Sequence, residues 1–218
     1  MEQRMIIDVY ADVVCPWCYI GARRLELALA NRPDLQVERR WRPFQLQPQM
    51  PAGGKPWATF AREKFGGEAR MAAAFANVAS VGAADGLTLD FSRVASAPNT
   101  VDAHRLILLA GEHGAQWPVA SALFRAYFAE GRDLNNLDHL LDAAASGGLD
   151  RELARAHLLG DAGRDEVEAS QRECYEIGVS SVPCYVFDSE AALLGAQPVS
   201  VLERVLDAAA TGTLASLR

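Results

Sequence analysis

Ile6-Ile7-Asp8-Val9-Tyr10-Ala11-Asp12-Val13-Val14-Cys15-Pro16-Trp17-Cys18 decides the fold. Residues 5–10 alternate apolar and polar, the period of a half-buried strand. Pro16 to Ala30 reads as a helix, with apolar positions at Ile20, Leu25, Leu27 and Leu29. Pro16 suits the first helical position, because its fixed φ is helical and its missing N–H is not needed there. Cys15 and Cys18 therefore open a helix and face the same way over one turn. A helix start carries partial positive charge and free N–H groups, which favour a thiolate over a thiol. Cys15 is expected to be the more exposed, attacking thiol and Cys18 the resolving one.

Two cysteines at this spacing also open zinc ribbons, which need a second ligand pair. Cys174 and Cys184 are ten apart and do not form one, and the four histidines show no paired spacing. Thiol–disulfide chemistry is the reading adopted, with no metal expected.

Working outward, Pro33-Asp34 ends the helix and Leu35-Gln36-Val37-Glu38 alternates into Trp41, a second strand. Pro43, Pro48, Pro51, Gly53, Gly54 and Pro56 mark a linker. From Trp57 to Ile177 nearly everything reads helical, in alanine-rich segments broken at Gly66-Gly67, Gly86, Pro98, Gly114, Gly131 and Gly147-Gly148. Helix starts are expected after Asn99-Thr100, after Asn135-Asn136 and after Asp161. Beyond Gly178, Val182-Pro183-Cys184-Tyr185-Val186-Phe187 reads as a strand and Ala191-Ala192-Leu193-Leu194 as its partner across Asp188-Ser189-Glu190. Val199, Leu202, Val205 and Leu206 define a last helix. The order is β-α-β, a helical insertion, then β-β-α. It divides the chain into residues 1–56 with 178–218, and an inserted 57–177.

A chain of 218 residues hides about 70% of its unfolded surface and needs no disulfide for stability. Its net charge of −7, with no dense Lys/Arg run, argues against nucleic acid. No stretch approaches the ~20 apolar residues of a membrane span, and the start lacks a signal-peptide core. A cytoplasmic setting is expected, where a Cys-x-x-Cys is catalytic rather than structural.

This α/β order resembles the thioredoxin fold with an all-helical insertion. The chain is similar to the DsbA superfamily of thiol–disulfide oxidoreductases, in its FrnE-like cytoplasmic branch. The resemblance spans essentially the whole chain. It rests on Cys15-Pro16-Trp17-Cys18, Trp41-Arg42-Pro43-Phe44, Asn99-Thr100 with Ala103-His104-Arg105-Leu106, Gly178-Val179-Ser180-Ser181-Val182-Pro183, and Gly195-Ala196-Gln197-Pro198. It implies that Pro183 is a cis-proline beside the dithiol, where residues alone would favour an ordinary trans proline at a strand edge. Pro183 offers no N–H, which leaves the Val182 backbone free to pair with an extended substrate. Substrate contacts are expected at Pro16, Trp17, Val182, Pro183, Asn99 and His104. The sequence leaves open whether His104 is packed, capping or functional. Two departures stand out: Ser181 where the family more often has glycine, and Cys184 after the proline. Cys174 and Cys184 are read as small buried hydrophobes rather than a second redox pair.

The resemblance extends to kappa-class glutathione transferases and 2-hydroxychromene-2-carboxylate isomerases, which typically carry serine where Cys15 stands because glutathione brings the thiol. A thiol–disulfide oxidoreductase without cofactor is the first reading. A glutathione-dependent isomerase or transferase is the second, and a non-catalytic binding module the weakest. Expected partners are disulfide- or thiol-containing proteins or small molecules, glutathione among the candidates, and a homodimer is compatible with the sequence.

The residue between the cysteines bears on redox poise. Periplasmic relatives commonly place a histidine there, and Trp17 cannot supply its charge. The Cys15/Cys18 couple is therefore predicted between roughly −270 and −180 mV, the span from thioredoxin to protein disulfide isomerase. Titration in glutathione buffers measures it. A value above about −150 mV, or no rise in Trp17→His, contradicts the argument.

Overall fold

The computed structural model describes residues 4–66 and 68–214. Met1–Gln3, Gly67 and residues 215–218, which carried part of the expectations for the chain start, one breaker and the chain end, lie outside these.

The first half of the sheet is β1 (Met5–Ala11), α1 (Pro16–Ala30) and β2 (Val37–Pro43), with β1 and β2 parallel. The second is β5 (Cys184–Phe187), β6 (Ala191–Leu194) and α9 (Val199–Ala210). The sheet order is β2-β1-β5-β6, and β1 pairs β5 antiparallel with Tyr10 opposite Cys184. β1 lies at the centre, where its apolar alternation is used on both faces. Ile7, Val9 and Ala11 enter the main core with Trp41, Tyr185 and Phe187. Tyr10, two-fold out of phase, enters a small second cluster with Phe44, Cys174, Val179 and Cys184.

α1 buries Cys18, Gly21, Leu25 and Ala28, a stripe at spacings of three and four. Leu27 and Leu29, expected among the apolar positions, are only half-buried. Small residues take the inner face because α1 lies close to the strands and α9. A Cβ on Gly21 would collide with the Tyr185 hydroxyl and lie 2.9 Å from Cγ of Pro183.

Between β2 and β5 run β3 (Lys55–Pro56), α2 (Trp57–Phe65), α3 (Glu68–Ala84), a 3-10 turn at Phe91–Arg93 and β4 (Ser96–Ala97). Then come α4 (Val101–Glu112), α5 (Gln116–Phe128), α6 (Leu137–Ser146), α7 (Arg151–Leu159) and α8 (Arg164–Glu176). The reading of residues 57–177 as nearly all helix misses β4, which pairs antiparallel with β3. Strands of two residues show no period. Asn136 caps α6 by accepting the N–H of Asp138 and His139, so the second residue of Asn135-Asn136 is the start signal. Asp161 does not cap α8, which begins after Gly163 at φ 84°; its carboxylate accepts from Arg164 Nε instead, at 3.2 Å. β5 starts at Cys184 rather than Val182, and the Pro183 carbonyl accepts the Gly195 N–H at 2.8 Å.

Arg105, in the Ala103-His104-Arg105-Leu106 stretch, is fully buried. Its guanidinium donates to the carbonyls of Ala162, His157 and Gly160 at 2.6–2.7 Å and to Asp102 at 2.8 Å. It closes the carbonyl end of α7 and ties it to α4, which is a structural task.

Gly21→Ala gains about 1 kcal/mol of helix propensity but overpacks Tyr185 and Pro183 at a cost of about 1–3 kcal/mol. The expected outcome is a net loss of stability in urea unfolding. An unchanged or raised midpoint would show that α1 has room to move.

Candidate active site

After β1 the chain turns, with the Cys15 N–H donating to the Asp12 carbonyl at 3.1 Å. Cys15 then caps α1 from extended backbone, φ −94° and ψ 110°, with Pro16 at the first helical position. The Cys18 N–H donates to Cys15 Sγ at 3.4 Å, and the Cys15 carbonyl accepts from Cys18 and Tyr19. A sulfur takes the place that a Ser or Asp oxygen fills in ordinary caps. The Cys15 thiol points at the Val182 carbonyl, 3.9 Å away. The Val182–Pro183 peptide bond is cis.

Both cysteines are buried, Cys15 at 5% exposure and Cys18 at 1%. Cys15 still differs in kind, because it lines a cavity and Cys18 does not. Burial, then the hydrogen bond and charge of Cys15, push the Cys18 thiol well above its ordinary range. Trp17, 39% exposed, stands at the rim.

Beneath the turn sits Asp12, fully buried, which went unread in the sequence although it lies three residues before Cys15. Its Oδ2 accepts the Leu46 N–H at 2.8 Å. Its Oδ1 is 3.4 Å from His104 Nε2, without the alignment of a hydrogen bond. Trp41 Nε1 donates to His104 Nδ1 at 3.1 Å. An indole nitrogen can only donate, so Nδ1 is the acceptor and the neutral ring carries its proton on Nε2, towards Asp12.

The expected substrate-contact residues separate. Pro16, Trp17 and Val182 line the cavity with Cys15. Pro183 adjoins α1 through Gly21. His104 is fully buried behind Asp12 and is not among the residues that line the cavity. Asn99 is not among the lining residues either. Its side chain donates to the Met50 carbonyl at 2.7 Å and accepts the Val101 N–H at 3.0 Å, so it fastens the start of α4. Neighbouring positions, Pro98 and Thr100, reach the cavity instead. Ser181, the family departure, lines it beside Ser180.

Cys174 and Cys184 are fully buried in the second cluster. Burial pushes them up to about 12 and about 11, so both remain thiols near neutrality. Among the described residues no group of three or more His, Cys, Asp or Glu could hold a metal ion.

Fold and site together define a thioredoxin-fold protein with a Cys-x-x-Cys at a helix start. Residues 6–207 match the model of the DSBA-like thioredoxin domain, and the chain belongs to that family. It is an enzyme of the DsbA-like oxidoreductase or isomerase type. A probable DsbA oxidoreductase from Streptomyces coelicolor is 35% identical, with a TM-score of 0.84 over 95% of this chain and 90% of that one. A 2-hydroxychromene-2-carboxylate isomerase shares the fold at 16% identity and TM-score 0.72, covering 98% and 99%. So does the cytosolic disulfide reductase DsbM of Pseudomonas aeruginosa, solved with GSH, at 20% and 0.64, covering 98% and 99%. Among the described residues no helix is long and apolar enough to cross a membrane.

The raised Cys18 thiol sets an order of labelling. Below its pKa it stays protonated and unreactive, so iodoacetamide near pH 7 is expected to modify Cys15 first, with Cys18 following only at strongly alkaline pH. Peptide mass mapping of the reduced protein reads this order. Earlier labelling of Cys18 would reverse the assignment.

Proposed function

We propose that this protein is a thiol–disulfide oxidoreductase whose nucleophile is Cys15 and whose resolving thiol is Cys18. The observation that carries the reading is the asymmetry of the pair: Cys15 Sγ faces the cavity and receives an α1 N–H, while Cys18 is sealed behind it.

Cys15 as thiolate attacks one sulfur of a substrate disulfide. A Cys15–substrate disulfide forms and the other substrate half leaves as a thiolate. The Cys18 N–H and the N-terminus of α1 face the Cys15 sulfur. Cys18 then loses its proton and attacks Cys15 Sγ, releasing the second half. Two electrons pass to the substrate and the protein is left with a Cys15–Cys18 disulfide. Run backwards, the same steps oxidise a dithiol. Asp12 and the His104–Trp41 pair act at one remove, by fixing the turn that aims Cys15. The Val182 carbonyl, beside the nucleophile, is an acceptor for an extended substrate.

Residues 1–56 with 178–218 form the dithiol-bearing domain in this reading, and 57–177 an inserted domain that roofs the dithiol face. Walls of one cavity drawn from both segments support that division. Cytoplasmic residence is supported by the cytosolic setting in the name of the DsbM relative. The glutathione-dependent isomerase reading draws on the isomerase of like fold. Cys15 counts against it, because a protein thiol stands where that chemistry needs the thiol of glutathione.

Cys15→Ser is expected to abolish reduction of insulin disulfides by a dithiothreitol-coupled assay. Cys18→Ser is expected to accumulate mixed disulfides at Cys15, visible on non-reducing gels and by mass. Full activity of Cys15→Ser would end the oxidoreductase reading.

A further inference from the structure

The cavity beside Cys15 has a composition that the exchange chemistry does not require. Its volume is about 370 Å³, within the roughly 300–1,000 Å³ of small-molecule sites. One wall is a continuous aromatic ladder. Trp57 stacks on Phe75 at 5.6 Å, Phe75 on Phe91 at 4.1 Å, and Phe91 meets Phe128 edge-on at 5.7 Å. Such walls select flat rings, by area and by quadrupole geometry. An apolar cavity of about 150 Å³ holds one benzene, so this one has room for about two rings.

Among the described residues, two charged ones line it, Asp12 and Lys64. Asp12 is at the bottom, buried beside the dithiol turn. Lys64 is exposed on α2 and lies over the Phe60 ring at 5.2 Å. A cation on the wall of an aromatic cavity suits a ligand with an anionic end. Glutathione suits it poorly. Its two carboxylates and ammonium would lose water against aromatic walls with one lysine to answer them.

We infer that this cavity takes a small aromatic disulfide bearing a carboxylate, with rings against the Trp57–Phe128 ladder and its anionic end at Lys64. The inference rests on the oxidoreductase reading of Cys15. Cys15 thiolate displaces one arylthiolate, forming a mixed disulfide. Cys18 displaces the second and gives up its proton. The substrate gains two electrons and becomes two arylthiols, and the protein becomes the Cys15–Cys18 disulfide. A small dithiol reductant restores it.

Single-turnover reduction by the pre-reduced protein separates the pocket from the chemistry. The probes are 4,4′-dithiodibenzoate, its uncharged dicarboxamide, glutathione disulfide and hydroxyethyl disulfide. Each rate is divided by that of free dithiothreitol with the same probe, which removes intrinsic reactivity. Dithiodibenzoate is expected to exceed glutathione disulfide by about tenfold or more, the scale of one well-filled apolar subsite. Ala74→Trp, on an exposed cavity-lining position of α3, is expected to slow dithiodibenzoate about tenfold more than hydroxyethyl disulfide. Lys64→Glu is expected to weaken dithiodibenzoate about threefold or more relative to the dicarboxamide, the scale of an exposed ion pair. Binding of the non-reducible thioether 4,4′-thiodibenzoate, read by tryptophan quenching, should follow the same variants. Cys15-dependent reduction of hydroxyethyl disulfide with glutathione disulfide preferred, or with no effect of either variant, overturns the pocket inference and leaves the oxidoreductase reading standing. Reduction of no probe, or reduction independent of Cys15, overturns both.

Discussion

A buried carboxylate, Asp12, holds the site together. Its side chain takes the Leu46 N–H and faces His104, and its carbonyl takes the N–H of Cys15. The end of β1, the segment after β2 and helix α4 thus meet at one residue. One of its two oxygens has a hydrogen-bond donor, so loss of the Leu46 N–H would leave the buried group with none. That constraint fixes the turn, and the turn fixes where Cys15 caps α1. Trp41 sits behind His104 and transmits the same constraint from β2.

The four thiols show how position separates one functional group into different chemistries. Cys15 caps a helix start, accepts the Cys18 N–H and opens on a cavity. Cys18, one turn on, lies beneath it and is pushed up by burial and by its neighbour. Cys174 and Cys184 sit under the opposite face of the sheet with Tyr10 and Phe44, held as thiols by desolvation, Cys174 also by the nearby Glu173 charge. Exposure numbers alone would not separate them, since all four are buried.

The helices between β2 and β5 do two separable things. α4 and α7 are stitched by buried Arg105, whose donors replace water at the end of α7. α2 and α3 contribute Trp57 and Phe75 to the wall over the dithiol, and β3 and β4 fasten the ends of that segment. Packing stabilises the first pair, whereas the second leaves an apolar space open beside Cys15. A space of that kind persists when its use outweighs the stability that filling it would bring.

The sequence by itself determined the β-α-β and β-β-α halves, because period-two runs, Pro16 and the break at Pro33-Asp34 are local signals that tertiary contacts did not override. It placed the two cysteines at the start of α1 for the same reason. Tertiary structure decided what no local pattern encodes. It set His104 to face Asp12 and Asn99 to fasten α4. The buried stripe of α1 includes Gly21 and Ala28 rather than Leu27 and Leu29, and at Gly21 the reason is that Tyr185 and Pro183, more than 150 residues away in sequence, leave no room for a side chain. The aromatic ladder joins Trp57, Phe75, Phe91 and Phe128, which share no helix or period. Its existence depends on three helices and a turn closing over the dithiol, a long-range packing event with no signature in the order of residues.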